Sequence, residues 1–298
     1  FRGKTDRNVW SGNSVSVARR SLMCPCWNYS LAALAVILSA LGVTQAIRIP
    51  DVKTVEIVAP RLPAAFDGLR IVQISDLHAS RLLTASWVEA VVTQVNALNP
   101  DLILITGDLI DGRVDKRAAD VAPLAKLRAR DGVYAILGNH EYYSNAGEWT
   151  RAFGDLGLHL LINQHAVISR NGAQLVIAGV SDPAAARFDA AMPNLTAALS
   201  GADRKAFTVL MAHRPGDAAA HAAAGVDVQL SGHTHGGQIA GIHLLTQLAN
   251  EGFVSGLYTV GSMQLYVSNG TGLWAGFPLR LGRPSEITEM TLRRGIQK

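Results

Sequence analysis

A chain of 298 residues, 49% apolar and 17% charged, has material for one large core or two modest ones. It is too apolar to be disordered, collagen-like or a coiled coil. Its two cysteines, Cys24 and Cys26, stand near the amino end, which excludes a disulfide-stapled scaffold and a cysteine-ligated zinc module. Residues 1–20 carry Arg2, Lys4, Arg7, Arg19 and Arg20 against Asp6, a surplus equal to the whole net charge of +4. The rest of the chain balances, so no nucleic acid is expected as a main partner.

In chain order, residues 1–26 read as a basic cytoplasmic segment. No charged residue lies between Ser21 and Ile47, and 27–47 have the length of a transmembrane helix, with an uncleaved export signal as the alternative. Arg19 and Arg20 on the near side put the amino end in the cytoplasm and the body outside. The same pair fits twin-arginine export. No clean small-x-small cleavage site stands out, so a single-pass anchor is expected. Phe1 in place of Met also suits a piece of a longer, multi-spanning protein. Residues 48–67 read as a proline-punctuated linker around a short strand at 54–58.

From residue 68 to 298 no repeat or shift of composition marks a further domain. Strand-like runs at 69–74, 102–106, 133–137, 165–169, 174–179, 207–212, 227–231, 264–268 and 287–292 alternate with helical patterns. Helices are expected near 116–130, 145–156, 189–200 and 216–224, and Ser86 to Glu89 reads as a capping box. Continuous apolar strands separated by helices predict an α/β fold with a sandwiched sheet.

The chemistry follows the strands. Five of them end in polar blocks: Ser75-Asp76-Leu77-His78, Gly107-Asp108-Leu109-Ile110-Asp111, Gly138-Asn139-His140-Glu141, His213-Arg214-Pro215 and Gly232-His233-Thr234-His235-Gly236-Gly237-Gln238. Ligands of α/β sheets bind beyond the carboxyl ends of strands, so these blocks should converge at one rim. Carboxylate, imidazole and amide donors without thiolate suit Mn, Fe or Zn. The donors outnumber the needs of one ion, which points to two divalent metal ions sharing a carboxylate. Their surplus positive charge suits hydrolysis of an anionic phosphate-ester substrate.

The five blocks, in this order and spacing, resemble the calcineurin-like metallophosphoesterase superfamily over roughly residues 68–293. The GHTHGGQ extension, the leading apolar segment and the closing run from Leu265 to Thr288 are similar to its YkuE/YaeI-like membrane-associated phosphohydrolase branch. The resemblance implies a four-layer α/β/β/α metallophosphoesterase sandwich preceded by the transmembrane helix. It implies one metal on Asp76, His78 and His235, a second on Asn139, His213 and His233, and Asp108 bridging them. His140 would not bind metal but would lie near the phosphate as the catalytic residue, stabilising the transition state or protonating the leaving oxygen. The implied reaction is in-line attack of a metal-bridging hydroxide on phosphodiester or pyrophosphate bonds of lipid or cell-envelope substrates. A UDP-2,3-diacylglucosamine-type pyrophosphatase and a non-catalytic metal-binding membrane scaffold are the alternatives.

Several residues carry lesser expectations. Arg214, Gly236 and Gly237 are candidate substrate contacts. Asp111 reads as a carboxylate behind the ligands or a helix cap, and Glu141 as structural or substrate-touching. Gly270, Gly272 and Gly276 would let a loop approach the metals. His159, His165, His221 and His243 read as surface or satisfied core. The apolar stretch 239–257 reads as ordinary core of the second half, with contact to a lipid tail as the alternative.

Overall fold

The computed structural model describes residues 25–274 and 276–295. The expectations for the basic segment and for Arg19-Arg20 lie outside the described residues. The chain divides into two compact units after Leu38. The described part of the first is the start of helix α1, Pro25–Ile47. Within α1, Tyr29–Ile47 is long and apolar enough to cross a membrane. Leu31, Leu34, Val36 and Ile37 are exposed, as on a helix that is apolar all round.

The second unit begins within α1. Its first strand, β1 (Asp51–Ala59), is longer than the short strand expected of a linker and belongs to the core sheet, pairing in parallel with β12 (Glu286–Arg294) over nine residues. The pairing engages its backbone from end to end, which an isolated linker strand could not do. The other strands of this sheet are β2 (Arg70–Ile74), β3 (Leu102–Ile105), β4 (Val133–Ala135) and β5 (His159–Leu160). Their order is β1-β12-β2-β3-β4-β5. The second sheet holds β6 (Gln164–Arg170), β7 (Ala173–Gly179), β8 (Phe207–Met211), β9 (Val228–Ser231), β10 (Gly256–Val260) and β11 (Met263–Val267). It is ordered β10-β11-β9-β8-β7-β6.

Alternate residues of each strand point to opposite faces, and the burial follows that rule. Ile71 and Leu104 of the first sheet meet Leu175, Val209 and Leu230 of the second in an inner core. Val72 and Ile103 face outward with Val88, Val92, Val121 and Phe153, from helices α2 (Ala85–Ala97), α3 (Val114–Val121) and α5 (Ala146–Asp155). Val176, Leu210 and Leu265 do the same on the far side with Ala198 and Ala218, from α6 (Leu195–Ala198) and α7 (Ala218–Ala223). The stacking is α/β/β/α, as the family resemblance implies.

Several local expectations change. Helix α2 starts one residue before Ser86, with Thr84 at its N-cap and no side-chain cap bond. Asp120 accepts from the Ala85 amide instead, and Glu89 pairs with Lys126. The helix expected at 116–130 becomes α3 followed by a 3-10 turn, Ala122–Lys126, because Pro123 cannot extend an α-helix. The helix expected at 189–200 shortens to the four residues of α6. Two short helices go unforeseen: α4 (Asn139–Tyr143) inside a polar block and α8 (His243–Ala249). The stretch 239–257 is not ordinary core. Every residue of α8 is at least partly exposed, and only Val254 of the larger apolar side chains between Ile242 and Leu257 is buried.

Candidate metal centre

The polar blocks do converge. Loops after β2, β3 and β4 carry Asp76, His78, Asp108 and Asn139 from one sheet; loops after β8 and β9 carry His213, His233 and His235 from the other. Asp76, His78, Asp108, Asn139, His213 and His235 are buried and His233 is partly so. The Nε2 atoms of His78 and His235 face each other at 3.0 Å, and an Asp76 oxygen lies 3.5 Å from that of His235. Asp108 Oδ2 lies 3.1 Å from His213 Nε2 and 3.8 Å from His78 Nε2, so it stands between the two groups. Asn139 Oδ1 is 3.1 Å from His213 Nε2, and His233 completes a cluster with Asp108 and His213. Neighbouring ligands of an ion bound at about 2.1 Å stand about 3.0–3.4 Å apart. The donor set and its spacings therefore fit two metal ions with Asp108 between them.

Several of the donors are held from behind. His213 Nδ1 donates to the Thr106 carbonyl at 2.7 Å, turning Nε2 inward. Asp111 Oδ1 accepts from His78 Nδ1 at 2.9 Å and from His140 Nδ1 at 2.6 Å. Asp76 accepts from Ser75 Oγ at 2.5 Å and from the His233 amide at 3.0 Å. Such partners fix ring orientation and tautomer. Asp76, His78, Asp108, His233 and His235 all have positive φ, between 48° and 69°. For residues other than glycine this region is sparsely populated and costs roughly 1–3 kcal/mol each. Five of seven inward-facing donors share it. The surrounding structure imposes it to bring them together.

The motif glycines have a steric reason. A Cβ on Gly138 would lie 2.2 Å from Asp108 Oδ1, and one on Gly232 would lie 1.9 Å from Ser75 Oγ. At both places a neighbouring loop occupies the space of a side chain. Gly270 is similarly close to Asp76 Cβ, at 2.9 Å, as expected of a loop that approaches the centre.

Without ions, the charges in the cluster act on one another. Burial alone would raise Asp108, but His213 outweighs it and holds the carboxyl well below its ordinary range. Burial alone would lower His213, yet Asp108 brings it up to about 10. Burial and the neighbouring His213 push His233 down to about 3, ready to act as a neutral donor. Asp76 is raised, chiefly by burial. Such opposed shifts arise where carboxylates and imidazoles are crowded into one buried cluster.

The remaining expected residues find other places. Arg214 turns to Asp182, with Nε 2.9 Å from its Oδ2, and lines a neighbouring depression rather than the cleft. Gly237 lines the cleft; Gly236 is buried against Asn269. Glu141 is structural. Its carboxyl, fully buried, accepts from the amides of Gly138, Asp108 and Leu109, joining two motif loops. Burial brings it up to about 7. His165 and His221 are satisfied by the Ala198 carbonyl and Gln229.

One residue escaped the sequence reading. Arg280, 0% exposed, donates to the carbonyls of His235, Asn269, Gly272 and Arg283, and its Nη2 lies 3.2 Å from His235 Nδ1. Burial lowers it to about 10, so it stays charged at neutral pH. The available signal was its isolation, since no other charged residue occurs between Gly252 and Gly282.

A cleft of about 640 Å³ opens over the centre, lined by Asp108, Asn139, His140, His233 and His235 on its floor and by Ile242, Trp274 and Phe277 on its wall. Two sheets whose strand ends gather oxygen and nitrogen donors for a pair of ions define a dinuclear metal hydrolase. The family model of the calcineurin-like phosphoesterases matches residues 69–237, and the chain belongs to that family of metal-dependent phosphoester hydrolases. It is 38% identical over 88% of its length to a transmembrane protein with a metallophosphoesterase domain from Bos taurus, of which it covers 62%. It is 33% identical over 78% of its length to the metallophosphoesterase YkuE of Bacillus subtilis (strain 168), covering 82% of that protein. The chain thus spans less than two thirds of the bovine relative. A 5'-nucleotidase precursor from Thermus thermophilus superposes with a TM-score of 0.48 at 18% identity, over 75% of this chain and 55% of that one.

Proposed function

We propose that the protein is a membrane-anchored phosphoesterase that faces away from the cytoplasm and cleaves phosphodiester or pyrophosphate bonds of lipid or cell-envelope molecules. The observation that carries the chemistry is a set of seven donors: six stand 3.0–3.8 Å from a neighbouring donor, with Asp108 between the two halves, and His233 lies within 4.8 Å of Asp108 and His213. Asp76, His78 and His235 would hold one ion and Asn139, His213 and His233 the other. Manganese, iron or zinc suits these donors. When bound, the ions supply Lewis acidity to the phosphoryl oxygens and a nucleophilic water at neutral pH.

The chain's own residues do the rest. Asp108 keeps its charge because His213 faces it, and so draws both ions to one place. Asp111 holds the Nδ1 atoms of His78 and His140 together, directing the opposite nitrogen of each ring forward. Burial alone would lower His140, but the hydrogen bond to Asp111 and the charge of Asp108 raise it above an ordinary histidine. It can therefore carry the proton that a departing alkoxide needs. In this reading α1 is the anchor, consistent with a relative named as a transmembrane protein, and residues 68–298 form the catalytic domain.

The test uses the full chain in detergent with bis(p-nitrophenyl) phosphate. Hydrolysis should cease in excess chelator and return with added Mn²⁺. His140→Asn should lower the rate for an alkyl leaving group far more than for p-nitrophenolate, which needs no proton. Full turnover by a chain shown to be metal-free would refute the reading.

A further inference from the structure

Beside the cleft the surface is unusually apolar. In α8 and the residue before it, Ile242, Leu244, Leu245 and Leu248 are all exposed, Leu245 at 68% and Leu248 at 80%. Trp274 and Phe277 across the opening are exposed too. No charged residue occurs in 228–250 or 252–279, so nothing in either stretch holds this collar in water by charge. Several large apolar side chains exposed together beside one cleft mark an interaction surface.

The backbone ties the collar to α1. Ala240 donates to the Leu281 carbonyl at 2.9 Å and Leu281 to that of Gln238 at 3.0 Å. Arg280 donates through its amide to the Gly42 carbonyl at 3.0 Å. A Cβ on Gly42 would lie 3.1 Å from Leu279 and 3.3 Å from Leu281, so the strap lies directly on the helix at that glycine. Gly42 is five residues short of the helix end at Ile47, about 7.5 Å along its axis. A membrane crossing takes about 20 apolar residues, and Tyr29–Ile47 has none to spare. If α1 crosses, Gly42 lies in the hydrocarbon or at its boundary, and the strap and collar are held at that level.

We infer that this collar (Ile242, Leu244, Leu245, Leu248, Trp274 and Phe277) docks into the lipid bilayer. It seats the mouth of the metal cleft at the headgroup layer. The inference rests on the reading of α1 as an anchor. Interfacial helices bury their apolar face in the boundary between headgroups and acyl chains, where tryptophan is favoured as well. The phosphate of an amphiphile would then reach the ions laterally, with its tail remaining in the membrane against Ile242 and Phe277.

The test places single bimane-labelled cysteines in the full chain carrying Cys24→Ser and Cys26→Ser, reconstituted into phosphatidylcholine–phosphatidylglycerol vesicles. The sites are Leu245→Cys, Leu248→Cys, Leu34→Cys within α1 and Val167→Cys on β6. A lipid bearing a nitroxide near the top of its acyl chain should quench labels 245 and 248 at least about threefold more than label 167, and iodide should do the reverse. Quenching at 34 without quenching at 245 and 248 overturns the docking surface and leaves the anchor standing. No lipid quenching at 34 overturns the anchor and this inference with it. Labels at 245 and 248 shielded from both quenchers reveal a protein cover, another copy included, and also overturn it.

Discussion

The floor and the wall of the cleft are built on opposite principles. On the floor Asp76, His78, Asp108, His213 and His235 are each held by hydrogen bonds to neighbouring groups, and the backbone is forced into left-handed conformations to bring donors together. The wall of Ile242, Trp274 and Phe277 continues into α8, which presents Leu244, Leu245 and Leu248 to solvent with none of the described residues covering them. The floor is over-determined, so its chemistry tolerates little change. The wall is under-determined by the fold, so its composition answers to something outside the fold. Reaction class is legible on the first; the second carries the proposed contact with lipid.

The contrast can be broken or sharpened by substitution. The largest effect should come from Asp108→Ala, which removes the carboxylate between the two halves of the centre. Hydrolysis of bis(p-nitrophenyl) phosphate should fall at least about 1,000-fold, about 4 kcal/mol in barrier. Metal content by mass spectrometry should drop toward one ion or fewer per chain.

Arg280→Met comes next. It removes the guanidinium from three buried carbonyls and the partly buried one of Arg283 and should destabilise the metal-loaded protein by about 3 kcal/mol or more in urea unfolding. Arg280→Lys should recover only part, since an ammonium cannot span the same fork.

Asp111→Asn keeps the shape but weakens the hold on His78 and His140. Metal affinity or activity should fall about 10–100-fold. The preference for good leaving groups should grow, because His140 loses the partner that raises it.

Leu245→Ser, on the wall, should change stability by no more than about 0.5 kcal/mol in detergent and leave hydrolysis of the soluble ester unchanged. A large loss of stability there would show that α8 packs against something essential and would erase the contrast.

Much of the centre was readable before any coordinates. Asp76, His78, Asp108, Asn139, His213, His233 and His235 each follow an apolar run of strand length, and strand ends converge in α/β sheets. The glycines beside them were readable as turns but not as places where another loop fills the space of a Cβ. Glu141 was left open between substrate and scaffold because its three amide donors come from two loops, one of them 32 and 33 residues away. Arg214 looked free for phosphate because nothing local showed that Asp182 would take it. Arg280 was missed because its partners are carbonyls, which every residue has and no motif records. Residues 239–257 were misjudged because an apolar run states an aversion to water and not whether protein or lipid relieves it.

The order of hydrophobic and polar residues was enough to determine two things here. The alternating direction of side chains along the apolar strands divides them between inner and outer cores, and the mixed oxygen and imidazole donors at their ends suit divalent transition-metal ions and phosphate-ester chemistry. Both follow from local rules, since side-chain direction repeats every two residues and donor preference belongs to the atom. Tertiary structure alone decided which partners Arg214 and Arg280 take, which backbone bends into strain to place a ligand, and which apolar side chains are left outside. Those outcomes depend on contacts between residues far apart in the chain, where the energy of one position is set by the arrival of another.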